Sequence, residues 1–353
     1  MTRDSSDKST RSDISRRGLL IGGAAAAGVA ASFKINPIGY ARAQGAGNVT
    51  LYTSLNSEFS NQLAERFNSS NTQGVTVQVF YTQARELRQR VVAENTAGRV
   101  LHDVVEFSSL PGFVELKQNG WLLEYRSPEA AAYAPQYVDP DGFFTTGRSG
   151  PIGYGFNSSI LTKPRASWKD FADPELAGKI GGADPRTVEG ATIWYYCTRT
   201  HPDLGLPFWQ ELAALNMRTG TSYGQVVSLM LSGEVPMVQN SIFNLYTAKY
   251  TDGAPVEIVY PTEVVPMSVT PIGISAAAQN PEGAKVFVDW WLSREGQEAI
   301  RDINGANSPR SDVDILPNTP RNDEIAAMVP DINDLMAHQE EYHQEFLDLF
   351  NLR

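Results

Sequence analysis

The chain has 353 residues, with 29 Lys and Arg against 40 Asp and Glu, a formal net charge of −11 and a single cysteine, Cys197. A surface this acidic repels nucleic acid and anionic lipid, so neither is expected as a partner. One cysteine cannot close an internal disulfide, so the fold must rest on its own core.

The chain opens on an export signal. Ser15-Arg16-Arg17-Gly18-Leu19-Leu20 sets two arginines before an Ala/Gly-rich apolar run over residues 19–31, and Ala41-Arg42-Ala43 before Gln44 is a small-residue cleavage site. That order makes a signal peptide over residues 1–43, and the arginine pair makes it the twin-arginine variety. The apolar run falls short of the roughly 18–20 residues of a membrane span, which argues against an anchor. Cleavage after Ala43 leaves 310 residues, with 22 basic and 37 acidic side chains and a net charge of −15. This is length for two domains working outside the cytoplasm, with no second apolar span to insert in a membrane.

Residues 49–53 read as a strand that stops in the polar turn Ser54-Leu55-Asn56-Ser57-Glu58. A helix follows, with Phe59, Leu63 and Phe67 on one face. After Gly74, Val75, Val77 and Val79 alternate as a strand, and the next helix carries Ala84, Leu87 and Val91. Residues 103–107 read as a buried strand ending in Ser108-Ser109, before a helix over residues 113–118 closed by Gly120. Strand and helix alternating at this pace predict α/β units on a largely parallel sheet. Two extended, Gly- and Pro-rich stretches then flank a second α/β set: residues 150–157 and residues 265–274, with a strand at 235–238 between them. They predict two lobes joined by a two-stranded hinge. A helix from Pro281 turns Ala284, Phe287, Val288, Trp291 and Leu292 inward, and the acidic tail over residues 322–350 reads as helical, anchored by Leu335, Phe346, Leu347 and Phe350.

Several phrases carry a resemblance. They include Leu51-Tyr52-Thr53-Ser54, Asp103-Val104-Val105-Glu106-Phe107-Ser108-Ser109, and Ser167-Trp168-Lys169-Asp170 leading to Gly178-Lys179-Ile180. Ala183-Asp184-Pro185 follows, and then Asn280-Pro281-Glu282-Gly283-Ala284-Lys285. In these the chain resembles the periplasmic solute-binding proteins of ABC importers. Within them it is similar to the two-lobed class of ferric-ion-binding proteins and their relatives for phosphorylated or phosphonate solutes. The resemblance implies a type II periplasmic binding protein with two Rossmann-like α/β lobes. It further implies a monomer without a cofactor that performs no catalysis and hands a small anionic solute to membrane permease subunits. Lobe one would cover residues 44–150 and return over 271–353 with C-terminal helices, and lobe two would cover 151–270.

Ligands of such sheets bind beyond the carboxyl ends of the strands. That rule selects Ser54 and Asn56, then Ser108 and Ser109, in lobe one. In lobe two it selects the turn Asp184-Pro185-Arg186-Thr187-Val188-Glu189-Gly190-Ala191. A helix start with free N–H groups, a threonine hydroxyl and Arg186 would cradle an oxyanion. The family places an oxyanion at this turn, and Thr187, Gly190 and Ala191 match its position. The alternative is a plain capped helix start with Arg186 in solvent. Tyr223, in the polar turn 221–225, fits the family's cleft-facing loop, the alternative being a simple cap at Ser222.

One departure bears on the ligand. The iron binders carry an asparagine and then two adjacent tyrosines where this chain has Asn240-Ser241-Ile242-Phe243. Ile242 and Phe243 cannot ligate a hard ferric ion, so no metal site is expected. If iron were bound, Tyr246 and Tyr250 would have to substitute. The adjacent Tyr195-Tyr196 is a decoy, because neighbouring helical residues point about 100° apart. No zinc-protease spacing, G-x-S-x-G or phosphate-binding loop favours an enzyme. A sensory receptor on the same two-lobed body remains an alternative to transport.

Overall fold

The structure is a computed structural model that describes residues 47–352. The signal-peptide and cleavage-site readings lie outside the described residues. Strands β1 (Asn48–Thr53), β2 (Thr76–Tyr81) and β3 (Val104–Glu106) alternate with helices α1 (Ser57–Ser70), α2 (Ala84–Thr96) and α3 (Leu110–Gln118). A long strand, β4 (Phe144–Asn157), leads to α4 (Trp168–Phe171), β5 (Ile180–Ala183), α5 (Glu189–Thr200) and α6 (Gly205–Ala214). Then come β6 (Arg218–Gly220), α7 (Tyr223–Leu231), β7 (Met237–Ser241), α8 (Ile242–Tyr246) and β8 (Val256–Val259). The second long strand, β9 (Val265–Ile274), precedes α9 (Pro281–Leu292), α10 (Arg294–Asn304), the short β10 (Ala327–Met328) and α11 (Ile332–Phe350). No described helix is long and apolar enough to cross a membrane.

Two α/β lobes share the long strands. The first lobe has the strand order β2-β1-β3-β9-β4, and the second has β6-β5-β7-β4-β8. β4 pairs with β9 from Phe144 to Pro151, then with β7 from Ile152 to Phe156 and with β8 from Tyr154 to Asn157. β4 and β9 thus make a two-stranded connection between the lobes. The sheet is mixed, not largely parallel: β1, β2 and β3 run parallel, as do β5, β6 and β7, while β4 runs against β7, β8 and β9, and β9 runs against β3 and parallel to β10. Gly153 explains part of the glycine richness of β4, because a Cβ there would sit 2.3 Å from the Val259 carbonyl of β8.

Each lobe buries a core on both sheet faces. In the first, Leu51, Phe67, Phe287 and Trp291 pack on one side, and Leu87, Phe107 and Phe113 on the other. In the second, Tyr154, Trp168, Trp194 and Trp209 oppose Val226, Met230 and Leu245. Ser167 and Asp170 form a capping box that starts α4 and sends Trp168 into this core, where its indole donates to the Val264 carbonyl at 2.8 Å.

The tail differs from the expected helix over 322–350. Helix α11 starts only after Pro330, where the Asp331 side chain caps it. It lies on α5 and α6 of the second lobe. Phe346 is fully buried against Tyr195 and Trp209, and Arg199 pairs with Glu345 at 2.7 Å. Tyr195 donates to Glu345 at 2.5 Å and Tyr196 to Asp334 at 2.8 Å, so the tyrosine pair is committed to this packing. Cys197 is buried beside them, and burial pushes its thiol well above the usual range.

Candidate interlobe site

The floor of the site belongs to the first lobe. β1 and β3 are parallel neighbours, so the turns after them lie side by side. Ser54 N–H donates to the Glu106 carbonyl at 3.0 Å, and the Ser54 hydroxyl accepts from Ser108 N–H at 3.1 Å. The Ser108 hydroxyl continues to Thr270 of β9 at 3.0 Å. Serine and threonine hydroxyls thus run from β1 to the connecting strand. Ser109 caps α3, its Oγ accepting from Gly112 N–H at 3.2 Å. Asn56 caps α1 in solvent, accepting from Glu58 N–H at 2.8 Å.

Beneath this floor lies a buried charge. Glu106 is fully buried, accepts from Thr53 Oγ1 at 2.5 Å, and is paired with Arg148 of β4 at 2.6 Å. Arg85 and Arg88 of α2 add cations at the rim.

The second lobe supplies the start of α5. Its N-cap position is Val188, which has no side chain to cap the helix. Thr187 does not replace it, because its hydroxyl donates back to the Asp184 carbonyl at 3.2 Å. Thr187 and Val188 N–H groups go to the Asp184 carbonyl, and Ala191 and Thr192 N–H groups to that of Val188. Among the described residues, no backbone carbonyl accepts from Glu189 or Gly190 N–H. The expected cradle therefore reduces to these two donors; Ala191 is buried with its N–H already used.

Arg186 folds back on Asp184. Its guanidinium makes bonds of 2.5–3.2 Å to both carboxylate oxygens, so its charge is offset within its own turn. Gly190 faces Tyr223, and a Cβ at Gly190 would come within 2.4 Å of the phenol oxygen. That phenol accepts from Gln239 Nε2 at 3.3 Å, and burial pushes it well above its usual range. Asn240 is buried and works as a brace: its amide donates to the Tyr223 carbonyl at 3.0 Å and accepts from Asn244 at 3.0 Å.

Ser54, Ser108 and Ser109 are thus brought together on one lobe, and Gly190, Tyr223 and Asn240 on the other. The lobes touch between them. Burial at the start of α5 raises the Glu189 carboxyl above its ordinary range, against the opposing pull of the Ser109 hydroxyl, the Arg88 charge and the Leu110 N–H. Arg85 donates to the Arg186 carbonyl at 3.4 Å. Phe243 meets Gly305, the residue that ends α10. Sequence reasoning missed Arg85, Arg88 and Thr270, and gave Glu189 no role of its own within the selected turn. Arg85 and Arg88 follow the end of β2, so the rule that selected Ser54 and Ser108 applies to them too. Tyr246 and Tyr250 pack on each other at a tilt with centroids 4.7 Å apart, and Lys249 lies 5.5 Å from the Tyr250 ring.

Two α/β lobes with facing polar turns across a two-strand connection define a solute receptor. The chain belongs to the bacterial extracellular solute-binding protein family, whose model matches residues 52–298. It is a periplasmic solute-binding protein of the ABC-importer type, in a family that binds its substrates. A Haemophilus influenzae protein is 32% identical over 160 residues, 42% of this chain, and the match spans 45% of that protein, less than half its length. A Salmonella paratyphi A protein, provisionally described as a 2-aminoethylphosphonate-binding periplasmic protein, is 23% identical over 68% of this chain and 71% of its own. Among solved structures, the periplasmic binding protein AfuA from Actinobacillus pleuropneumoniae, with fructose-6-phosphate bound, has a TM-score of 0.72 at 21% identity, covering 88% of this chain and all of its own. Iron-bound HitA from Pseudomonas aeruginosa has a TM-score of 0.72 at 18% identity, covering 85% of this chain and 99% of its own.

Proposed function

We propose that this chain is a periplasmic receptor, exported by the twin-arginine route, that captures a small anionic organic solute for an ABC permease. The solute is a phosphonate, phosphate ester or carboxylate. Lobe one spans residues 44–150 and returns from residue 271, lobe two spans 151–270 and carries α11 packed on it, and the two close about β4 and β9. The observation that carries the reading is the uncapped start of α5. Its Glu189 and Gly190 N–H groups lie on the lobe opposite the hydroxyls of Ser54, Ser108 and Ser109, and the positive end of a helix suits an oxyanion. Asn56, Arg186 and Thr187 stand at the rim, with Arg186 contributing as a pair with Asp184. Tyr223, braced by Asn240, closes the second lobe's side.

The ferric alternative finds less support. Ile242 is buried in the core and Phe243 packs on Gly305, so the two residues after Ser241 offer no oxygen ligand. Tyr246 and Tyr250 pack on each other at a tilt beside the Lys249–Glu257 ion pair, and among the described residues neither phenol hydrogen-bonds to Asn240 of β7. The Salmonella relative's 2-aminoethylphosphonate and AfuA's sugar phosphate point to phosphorus oxyanions as the first class to try.

The test is a thermal-shift screen of the purified protein against phosphonates, phosphate esters and carboxylates in one panel and Fe(III) with citrate or phosphate in the other. A ligand at ~100-fold its dissociation constant adds about 2.7 kcal/mol of stability. A hit in the organic panel alone is expected. An iron hit with a phenolate-to-iron absorption band overturns the reading. Unchanged affinity in Arg186→Ala removes that arginine from the site.

A further inference from the structure

The long strand β4 is irregular at Gly147. Thr146 pairs with Pro271 of β9 and Arg148 with Thr270, so Gly147 is an extra residue between them, a β-bulge. Neighbouring side chains of a strand point to opposite faces, so the bulge moves Arg148 to the face opposite Thr146. That is the face of Thr270 and Ile272, and Ile272 is the partner of Glu106 on β3. The buried Gln297 of α10 holds the bulge, donating to the Gly147 carbonyl at 2.8 Å. A Cβ at Gly147 would come within 2.5 Å of the Trp291 indole nitrogen, so the bulge needs glycine. Arg148, once turned, is fixed. Its Nε and Nη2 both meet Oε1 of the fully buried Glu106, at 2.7 and 2.6 Å, and the Thr53 hydroxyl takes Oε2. A guanidinium carries donors on three nitrogens, and no group among the described residues accepts from Nη1. The side chain is 13% exposed. Thr270, directly opposite, is the residue that meets the Ser108 hydroxyl, so Arg148 stands beside the serine floor. Two residues on, on the same face, a Cβ at Gly150 would meet no atom within 4 Å.

We propose that Arg148 is a specificity-determining contact of the solute, presenting Nη1 at the floor of the site to an anionic oxygen, while Gly150 leaves room for the solute's body. Glu106 is its positioning residue. The proposal deepens the solute reading and rests on it. Taking a guanidinium and a carboxylate out of water is costly, and well-packed apolar side chains would stabilise the same place as well or better. A bulge, a buried glutamine and a buried acid all fix the direction of this one arginine. They hold one edge of its planar fork on Glu106 and leave the other edge for a ligand.

The test is calorimetric titration with inorganic phosphate, 2-aminoethylphosphonate, fructose-6-phosphate and citrate of the unaltered protein, Arg148→Lys and Gly150→Val. Lysine keeps the ion pair with Glu106 but not the planar fork that reaches the acid from one edge and a solute from the other. Valine suits a strand and enters open space, so Gly150→Val is expected to keep or raise the melting temperature. Both variants are expected to stay folded by circular dichroism and to bind about tenfold more weakly or worse, Arg148→Lys through one lost charge-assisted hydrogen bond and Gly150→Val through the filled space. Arg148→Lys decides the contact and Gly150→Val the room beside it. If Arg148→Lys does not fold, the double variant Arg148→Met, Glu106→Gln, which removes both charges, takes its place. A probe that binds the unaltered protein and a folded Arg148 variant equally overturns the contact and leaves the solute reading standing. Binding of none of the four probes by the unaltered protein overturns the solute reading and the contact with it.

Discussion

At the scale of single residues, the environment of Glu189 sets a pH dependence. Removal from water between the lobes pushes its carboxyl up from 4.5 to about 8, against the opposing pull of Ser109, Arg88 and the Leu110 N–H. The folded protein therefore holds this proton more tightly than the unfolded chain does. Folding takes up a proton there, so its stabilisation is full below about pH 4.5 and is lost as pH rises through about 8. The unfolding free energy in urea titrations is expected to fall as pH rises from about 5 to 8, and Glu189→Gln, which resembles the protonated acid, is expected to flatten that fall. An unchanged pH profile in Glu189→Gln would assign the titration elsewhere. Glu106 is a buried acid with an ion-pair partner, Arg148. Arg148→Ala leaves that charge unpaired and is expected to cost about 3–5 kcal/mol in urea unfolding. A loss under 1 kcal/mol would mean that water reaches Glu106. At Gly190 an added methyl meets the Tyr223 phenol, so Gly190→Ala is expected to weaken solute binding about tenfold in calorimetry while costing roughly 1–3 kcal/mol of stability.

At the scale of elements, α5 is the centre of the second lobe. Its start faces the interlobe seam, and its body carries Trp194, Tyr195 and Tyr196 into the core. Helix α11 covers that body and is held by Phe346, by the Tyr195 and Tyr196 bonds, and by the Arg199–Glu345 pair. Exposed ion pairs contribute little, so the aromatic burial dominates. Phe346→Ala is expected to lower the unfolding free energy by about 3–5 kcal/mol. Arg199→Ala is expected to lower it by about 1 kcal/mol or less. The reverse ranking in urea titrations would make α11 an electrostatic attachment instead. The Tyr195-Tyr196 pair shows why a local motif misleads. Its residues point to different partners, Glu345 and Asp334, and both partners belong to a helix far along the chain.

At the scale of the molecule, β4 and β9 make one mixed sheet out of two lobes, and β4 changes partners at Pro151–Ile152. The seam they span closes on small groups. Gly305 ends α10 with φ of 69°, a left-handed conformation that favours glycine, and a Cβ there would lie 3.3 Å from the Phe243 ring of the other lobe. Gly305→Val is therefore expected to strain the end of α10 and to wedge the seam. It should lower the melting temperature, whereas an unaltered melting temperature would show that Phe243 yields.

Strands β1 to β4, β7 and β9, most helices and the two-lobe plan were legible in the sequence because each follows from local spacing. Alternating valines make β2, a four-residue apolar stripe makes α1, and two Gly- and Pro-rich extended runs make the connecting strands. The candidate turns were legible for the same reason, since they lie just after strands. The charge state of those turns was not. Arg186 reads as a free cation until Asp184 is seen to bend its chain back, and Glu189 reads as an ordinary first-turn acid until α3 is seen opposite it. The destination of α11 was hidden in the same way, because Tyr195 and Glu345 are 150 positions apart in the chain and meet only when the second lobe packs. Periodicity reports which face of an element is apolar, whereas partners across a seam depend on how finished elements are set against one another.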